Sequence, residues 1–367
     1  MHVPRLRFRV GGLLVRALAL AFIAAMATGG MAEAKRITLR IGTGHPAGPA
    51  VYATALRDYF VPEVKRRVAA ETEHKINFVE GYGGSIAKVA ETLEAVQQGI
   101  LDIGGYCVCF EPAKLFLHNF MYYAPFGPQD SERSIAIARR IYDSHPWLAG
   151  QLEKRYRQKL LALNGWDNYH LGTVKPWNTV ADLKGVKIGG AGPNLPWLEY
   201  AGAIPVQSTL PDGYMAMQTG VYSGWLMFPS AYYSFKFHEP APFYTRIGFG
   251  AMGGAVVITM NNRSLKRLPE EVRKIILEVG RAYETHAAKK LNDGQIKGLV
   301  DLRKAGATVR DLPANVRKEW ALSLKDFPQR MAHDADKRGM PGSEIMRDYI
   351  RAVTDDGYVW PVNYVVK

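Results

Sequence analysis

Three short apolar runs, around Ile37–Ile41, Ile76–Val79 and Ile100–Gly104, alternate with two stretches of helical period, and that order narrows the fold more than anything else in the chain. Ile37, Leu39 and Ile41 point to one face of a strand, and Gly42-Thr43-Gly44-His45-Pro46 turns the chain into a helix predicted over about 49–70. After the second run, Ser85 is a plausible N-cap for a helix carrying Ile86, Val89, Leu93 and Val96, which Gly99 ends. A β-α-β-α-β succession places parallel strands in one sheet with helices packed on it.

The pattern resumes near Leu160. Strands are predicted at 160–163, 186–188 and 204–206, with a helix near 195–201, enough for a second α/β lobe. Ala255–Met260 is apolar but for Thr259, as in a buried sheet centre. Pro269-Glu270-Glu271 then opens a helix whose apolar stripe runs through Val272, Ile276, Val279, Tyr283, Ala287 and Leu291 toward Lys304. Unbroken, it reaches ~55 Å at 1.5 Å per residue, enough to brace two lobes. Two further helices are expected from Pro313 and Pro341. The fold class is therefore α/β, two-lobed with a long bracing helix. Residues 35–160 plus about 250–280 form the first lobe, 161–249 the second, 269–305 the brace, and 306–367 helices packed on the lobes.

Residues 1–34 stand apart. Arg5, Arg7 and Arg9 precede an apolar run from Leu13 to Ala27, and Ala32-Glu33-Ala34 offers a small-x-small cleavage site, so an export signal cut after Ala34 is expected, with Ala27 as the runner-up. The run is shorter than the roughly 20 residues of a spanning helix. Removing four arginines and Glu33 leaves +10 of the net charge of +13, dispersed, with no run longer than Lys65-Arg66-Arg67, which argues against a nucleic-acid surface. Cys107 and Cys109 lie two apart. On one strand face that separation is near the limit for a bridge, so buried free thiols are expected.

No nucleophile elbow, zinc-protease or phosphate-loop motif occurs, and the nine histidines have no ligand spacing, so neither cofactor nor metal is expected. The chemistry is expected in strand-end loops, where open α/β sheets bind ligands. Gly83-Gly84-Ser85 before a helix, and Gly189-Gly190-Ala191-Gly192, offer backbone N–H groups to an anion, or are simply tight turns. Tyr82, Tyr106, Trp166, Tyr169, Trp177, Trp197, Trp225, Phe228, Tyr232 and Tyr233 fall in the same segments, each serving as a ligand-stacking ring or as core.

Thr179–Ile188, Ala201–Val206 and Gly213–Gly224 closely resemble the central block of solute-binding proteins of tripartite ATP-independent periplasmic (TRAP) transporters, dicarboxylate type. Leu93–Ile103 and Met260–Glu271 extend the resemblance outward. It implies a periplasmic protein that closes two lobes on a solute and delivers it to membrane permease subunits driven by an ion gradient. It also implies an arginine directly after Lys187-Ile188, clamping the ligand carboxylate; this chain has Gly189 there, and Trp225-Leu226-Met227-Phe228 where an asparagine often follows. A larger, more aromatic pocket is expected, holding an aromatic or bulky compound, with a monocarboxylate as one form. Any acid group would then be caught by backbone N–H groups near Gly83 or Gly190, or by His45, Lys88 or His170. The expected contacts are His45, Tyr82, Gly83, Gly84, Ser85, Tyr106, Trp166, Tyr169, His170, Gly189, Gly190, Asn194, Leu210, Trp225, Met227 and Phe228. Trp225→Ala is expected to weaken binding and leave the fold intact. An exported enzyme on a similar compound and a sensor subunit of a membrane receptor are the alternatives.

Overall fold

The computed structural model describes Met1, His2 and residues 34–367, so the export signal, apart from its ends, lies outside the described residues. In the first sheet, β1 (Arg36–Thr43), β2 (Lys75–Gly81), β3 (Ile103–Cys107), β4 (Gln158–Asn164) and a late strand, Val256–Asn261, stand in the order β2-β1-β3, late strand, β4. β1 runs parallel to both neighbours, as the alternation predicts, whereas the late strand inserts antiparallel between β3 and β4. Every residue of that insertion is buried, which is why its sequence is apolar but for Thr259 and Asn261, whose side chains donate to Gln158 Oε1 and Val96 O.

The second sheet holds β5 (His170–Thr173), β6 (Lys187–Gly190), β7 (Ile204–Gln207), β8 (Gly224–Met227), β9 (Phe243–Arg246) and β11 (Thr308–Asp311), the late strand of the first sheet being β10. Its order is β11-β9-β5-β8-β6-β7. β11 lies in the stretch expected to be purely helical: the chain adds one strand to the second sheet, parallel to β9, before its last helices.

The chain passes between the sheets at residues 165–169, at 247–255, and through the helix Glu270–Lys304. The two linkers pair with each other. Trp166 N–H donates to Met252 O at 3.4 Å and Met252 N–H to Trp166 O at 3.0 Å, while Tyr169 and Phe249 bond to Gly250 O and Tyr169 O at 3.2 and 3.1 Å. The long helix begins after Pro269, as its sequence predicts, and runs beside this pair, Asn168 N–H donating to Gln295 Oε1 at 3.0 Å. Glycines let it lie flush. A Cβ at Gly280 would stand 2.6 Å from Leu161 O, and one at Gly298 2.6 Å from the Pro229 carbonyl carbon. The C-terminal helices are Ala314–Ser323, Phe327–Lys337 and Gly342–Asp355, the stretch expected as one helix from Pro313 being broken at Leu324–Asp326. Among the described residues no helix is long and apolar enough to cross a membrane.

Candidate functional site

Where the strands of both sheets end, twelve residues enclose one cavity: His45, Cys109, Phe110, Trp166, Tyr169, Ala191, Asn194, Leu210, Trp225, Leu226, Met227 and Phe228. His45 comes from the loop after β1, Cys109 and Phe110 from the turn after β3, Trp166 and Tyr169 from a linker, and the rest from the second lobe. The gap between their atoms is about 330 Å³, yet the centre of a water molecule has only about 20 Å³ to occupy. Room of that size holds a water and no ring, so a ring enters only when the walls part. The lobes touch here: a Cβ on Gly192 would lie 2.3 Å from Cys109 O, and Trp197 Nε1–H donates to Tyr122 O at 3.0 Å.

The walls are aromatic. Trp166 stacks on Phe228 at 5.1 Å between centroids, Tyr169 meets Phe228 edge-on at 5.3 Å, and His45 meets Trp166 edge-on at 5.8 Å. Among the described residues no Arg, Lys, Asp or Glu lines the cavity. The histidine is neutral: burial pulls its imidazole down to about 4. Its Nδ1 lies 3.0 Å from the Tyr52 hydroxyl, and its Nε2 is buried without a partner among the described residues.

Of the sixteen expected contacts, the structure brings His45, Trp166, Tyr169, Asn194, Leu210, Trp225, Met227 and Phe228 to the cavity wall. Tyr82, Gly83, Gly84 and Ser85 are not there. The helix starts at Thr92, with Glu91 at its N-cap position, so Ser85 caps nothing and instead donates to Tyr82 O. The amides of Gly83 and Gly84 are spent on His45 O and Thr43 O at 3.0 and 3.2 Å, so this loop supports the His45 turn and offers no anion nest. Lys88 is exposed outside the wall. Tyr106 faces the sheet interior, its hydroxyl donating to Gln158 Oε1 at 2.9 Å. His170 accepts from the amides of Ile247 and Gly248 at 3.1 and 3.0 Å and so locks the linkers; burial, then Arg246 and Arg317, takes it down to about 3.

Gly189 and Gly190 lie behind the wall. The donors beyond them are also engaged, Ala191 N–H with Asn194 Oδ1 at 3.0 Å and Gly192 N–H with Gln207 Oε1 at 2.6 Å. A Cβ on Gly189 would stand 2.6 Å from Trp225 Cε3 and 3.0 Å from Tyr222, so the indole occupies the room that a side chain at 189 would need.

The cysteines correct a further expectation. They are joined in a disulfide, because β3 ends at Cys107 and the chain tightens into the turn Val108–Phe110, bringing the two Cα atoms to 5.2 Å. Cys109 and Phe110 thereby reach the cavity. Only the position of this turn, just past a strand end, could have signalled them.

Residues 58–334 match the family of bacterial extracellular solute-binding proteins, family 7. The chain belongs to that family. A solute-binding protein of Albidiferax ferrireducens is 30% identical over 304 residues, 79% of this chain and 85% of the relative. The C4-dicarboxylate-binding periplasmic protein of Rhodobacter capsulatus is 25% identical over 315 residues, 78% and 93% of the two chains. Among solved structures, a TRAP solute-binding protein of Rhodoferax ferrireducens in complex with benzoate has a TM-score of 0.75 at 19% identity, covering 87% of this chain and 98% of that one. A marine-metagenome TRAP solute-binding protein in complex with 3-hydroxybenzoate has 0.77 at 21%, covering 88% and 99%. The family 7 chain described here is accordingly an extracellular solute-binding protein whose role is solute capture, and it shares the two-lobed fold of these TRAP solute-binding structures.

Proposed function

We propose that the cargo is an aromatic or comparably bulky organic compound, held where Trp166, Trp225 and Phe228 meet His45. The carrying observation is the wall itself, seven of whose residues are Phe110, Trp166, Tyr169, Trp225, Leu226, Met227 and Phe228, with no charged side chain among the twelve. Benzoate and 3-hydroxybenzoate in two structural neighbours support a ring of that size. The guanidinium fork implied by resemblance has no room, since Trp225 fills it.

By this reading the exported chain, freed of its signal near Ala34, works in the periplasm. It closes on the ring compound and docks on a permease powered by an ion gradient. The mechanism is capture: linker motion parts the lobes, rings stack on the cargo, and closure removes water. An enzymatic alternative calls for an acid–base pair in the cleft. The wall holds no carboxylate, and burial keeps its one imidazole, His45, down at about 4, far from an acid–base poise at neutral pH, which favours capture.

A thermal-unfolding screen of residues 35–367 tests this against aromatic acids, keto acids, dicarboxylates and neutral aromatics. A ligand at 100 times its dissociation constant stabilises by about 2.7 kcal/mol. Ring compounds are expected to raise the melting temperature; a rise with succinate-like acids alone overturns the proposal.

A further inference from the structure

The first sheet holds a receiver for the chain end that signal removal would create, an inference that rests on the export reading above. Lys35 is the last residue before β1, and the sheet fixes its position: Lys75 N–H donates to Lys35 O at 3.0 Å, and Arg36 pairs with Lys75 in the next step of the register. The Lys35 nitrogen therefore has one direction. It donates to His74 Nδ1 at 3.0 Å.

A backbone N–H can only donate, so Nδ1 accepts and the imidazole proton sits on Nε2. Nε2–H in turn donates to Glu271 Oε1 at 2.7 Å. His74 is 3% exposed, with both ring nitrogens engaged, whereas Glu271 is exposed in the first turn of the bracing helix. The Glu271 backbone N–H, and then His74, hold that carboxyl below its usual range, so it is ionised at neutral pH. One buried ring thus joins the nitrogen at position 35 to an anion on another element.

While the signal is attached, that nitrogen is an amide with one N–H and no charge. Hydrolysis of the Ala34–Lys35 bond leaves the water oxygen on Ala34 as a carboxylate and passes both water hydrogens to the nitrogen, which becomes an ammonium. An α-amino group titrates near 8, so at pH 7 it is mostly charged. A charged donor bonds roughly twice as strongly as a neutral one, and Glu271 lies beyond the ring with the opposite charge. A cut after Ala27 would leave residues 28–34 in front and the nitrogen an amide still.

We propose that the α-ammonium of Lys35, made by the cut after Ala34, is received by His74 and balanced by Glu271, so that signal removal fastens the start of β1 to the start of the bracing helix. The far end of β1 is Thr43, two residues before His45, so the fastened strand carries a wall residue of the cargo cavity.

Export of the full chain to a bacterial periplasm, followed by intact mass, reads the new first residue, and Lys35 is expected. Residues 35–367 beginning at Lys35 are then compared with the same residues behind an added Gly-Ser, which turns the ammonium back into an amide. The free start should have the higher urea midpoint, and Glu271→Gln, an exposed change that removes only charge, should take away at least half of that advantage. Labelling of the α-amine by pyridinecarboxaldehyde should run at least tenfold faster on His74→Leu than on the unaltered chain, and His74→Gln, which keeps an acceptor, should restore part of the protection, with circular dichroism reporting the fold of each variant. A Lys35 start that is no more stable than the Gly-Ser form, or labelling indifferent to His74→Leu, overturns the inference while leaving export standing. A first residue of Thr28 overturns it and moves the cut, and a chain that is never cut removes the export reading as well.

Discussion

Trp225 has its indole edge against two glycines. Cβ atoms on Gly189 and Gly213 would lie 2.6 and 2.9 Å from it, so neither position tolerates a side chain while the ring stays. Gly189→Ala is expected to cost about 1–3 kcal/mol by overpacking. Trp225→Leu should relieve much of that cost, a coupling that a double-mutant cycle in denaturant reads directly; additive effects would mean the ring moves aside freely. Trp225 is also 1% exposed, so Trp225→Ala should lose about 3–5 kcal/mol of stability along with cargo affinity, and the expectation of an untouched fold does not survive the structure. Gly189 was legible as a departure from the arginine pattern, but what filled the room was not, because sequence spacing does not tell which ring leans across a strand.

Asp167 carried no sequence signal at all. It sits fully buried in the first linker, with Oδ1 3.3 Å from the Ser230 hydroxyl and Oδ2 unpartnered, and burial pushes its carboxyl up to about 8 from an ordinary 3.8. Between those values the folded chain holds a proton that the unfolded chain releases. This contribution is therefore complete below about pH 4 and is lost as pH rises through 8. Asp167→Asn should flatten that decline. Urea unfolding should show the variant gaining on the parent from pH 5 to pH 8, and a constant difference between them would place the ionisation elsewhere.

At the scale of elements, the long helix was the most legible part, since proline, two acids and a six-member stripe mark its start and its face. What the stripe does not show is how close the helix lies to its supports. Gly298→Ala gains up to ~1 kcal/mol of helix propensity, yet its Cβ would meet the Pro229 and Ser230 backbone at 2.6 Å, and backbone cannot rotate away. A net loss of about 1 kcal/mol or more is expected in chemical denaturation; a more stable variant would show that the helix shifts at no cost. The glycine-rich turn after β2 misled for the opposite reason. Ile86 and Val89 fit a helical period, but the chain spends residues 82–91 in turns that hold the His45 loop, and no periodicity separates such a support from a helix. The disulfide was hidden similarly: strand spacing was the right rule for a strand that in fact stops at Cys107.

For the whole molecule, alternation of strands and helices was enough to read two lobes and a brace, and half of the expected contacts reach the cavity because strand-end loops meet where two sheets face each other. The short strands β5, β8, β9 and β11, four residues each, escaped notice, their runs being too brief to show a period. The triple crossing between sheets carries a mechanical corollary. Two paired ribbons and a stiff rod lie side by side, tied by Asn168 and Gln295. Bodies fastened along one such seam retain a single easy rotation, like covers about a spine, and resist twisting or sliding. Whatever reads the closed form would then need to gauge just one angle to know whether the book is shut.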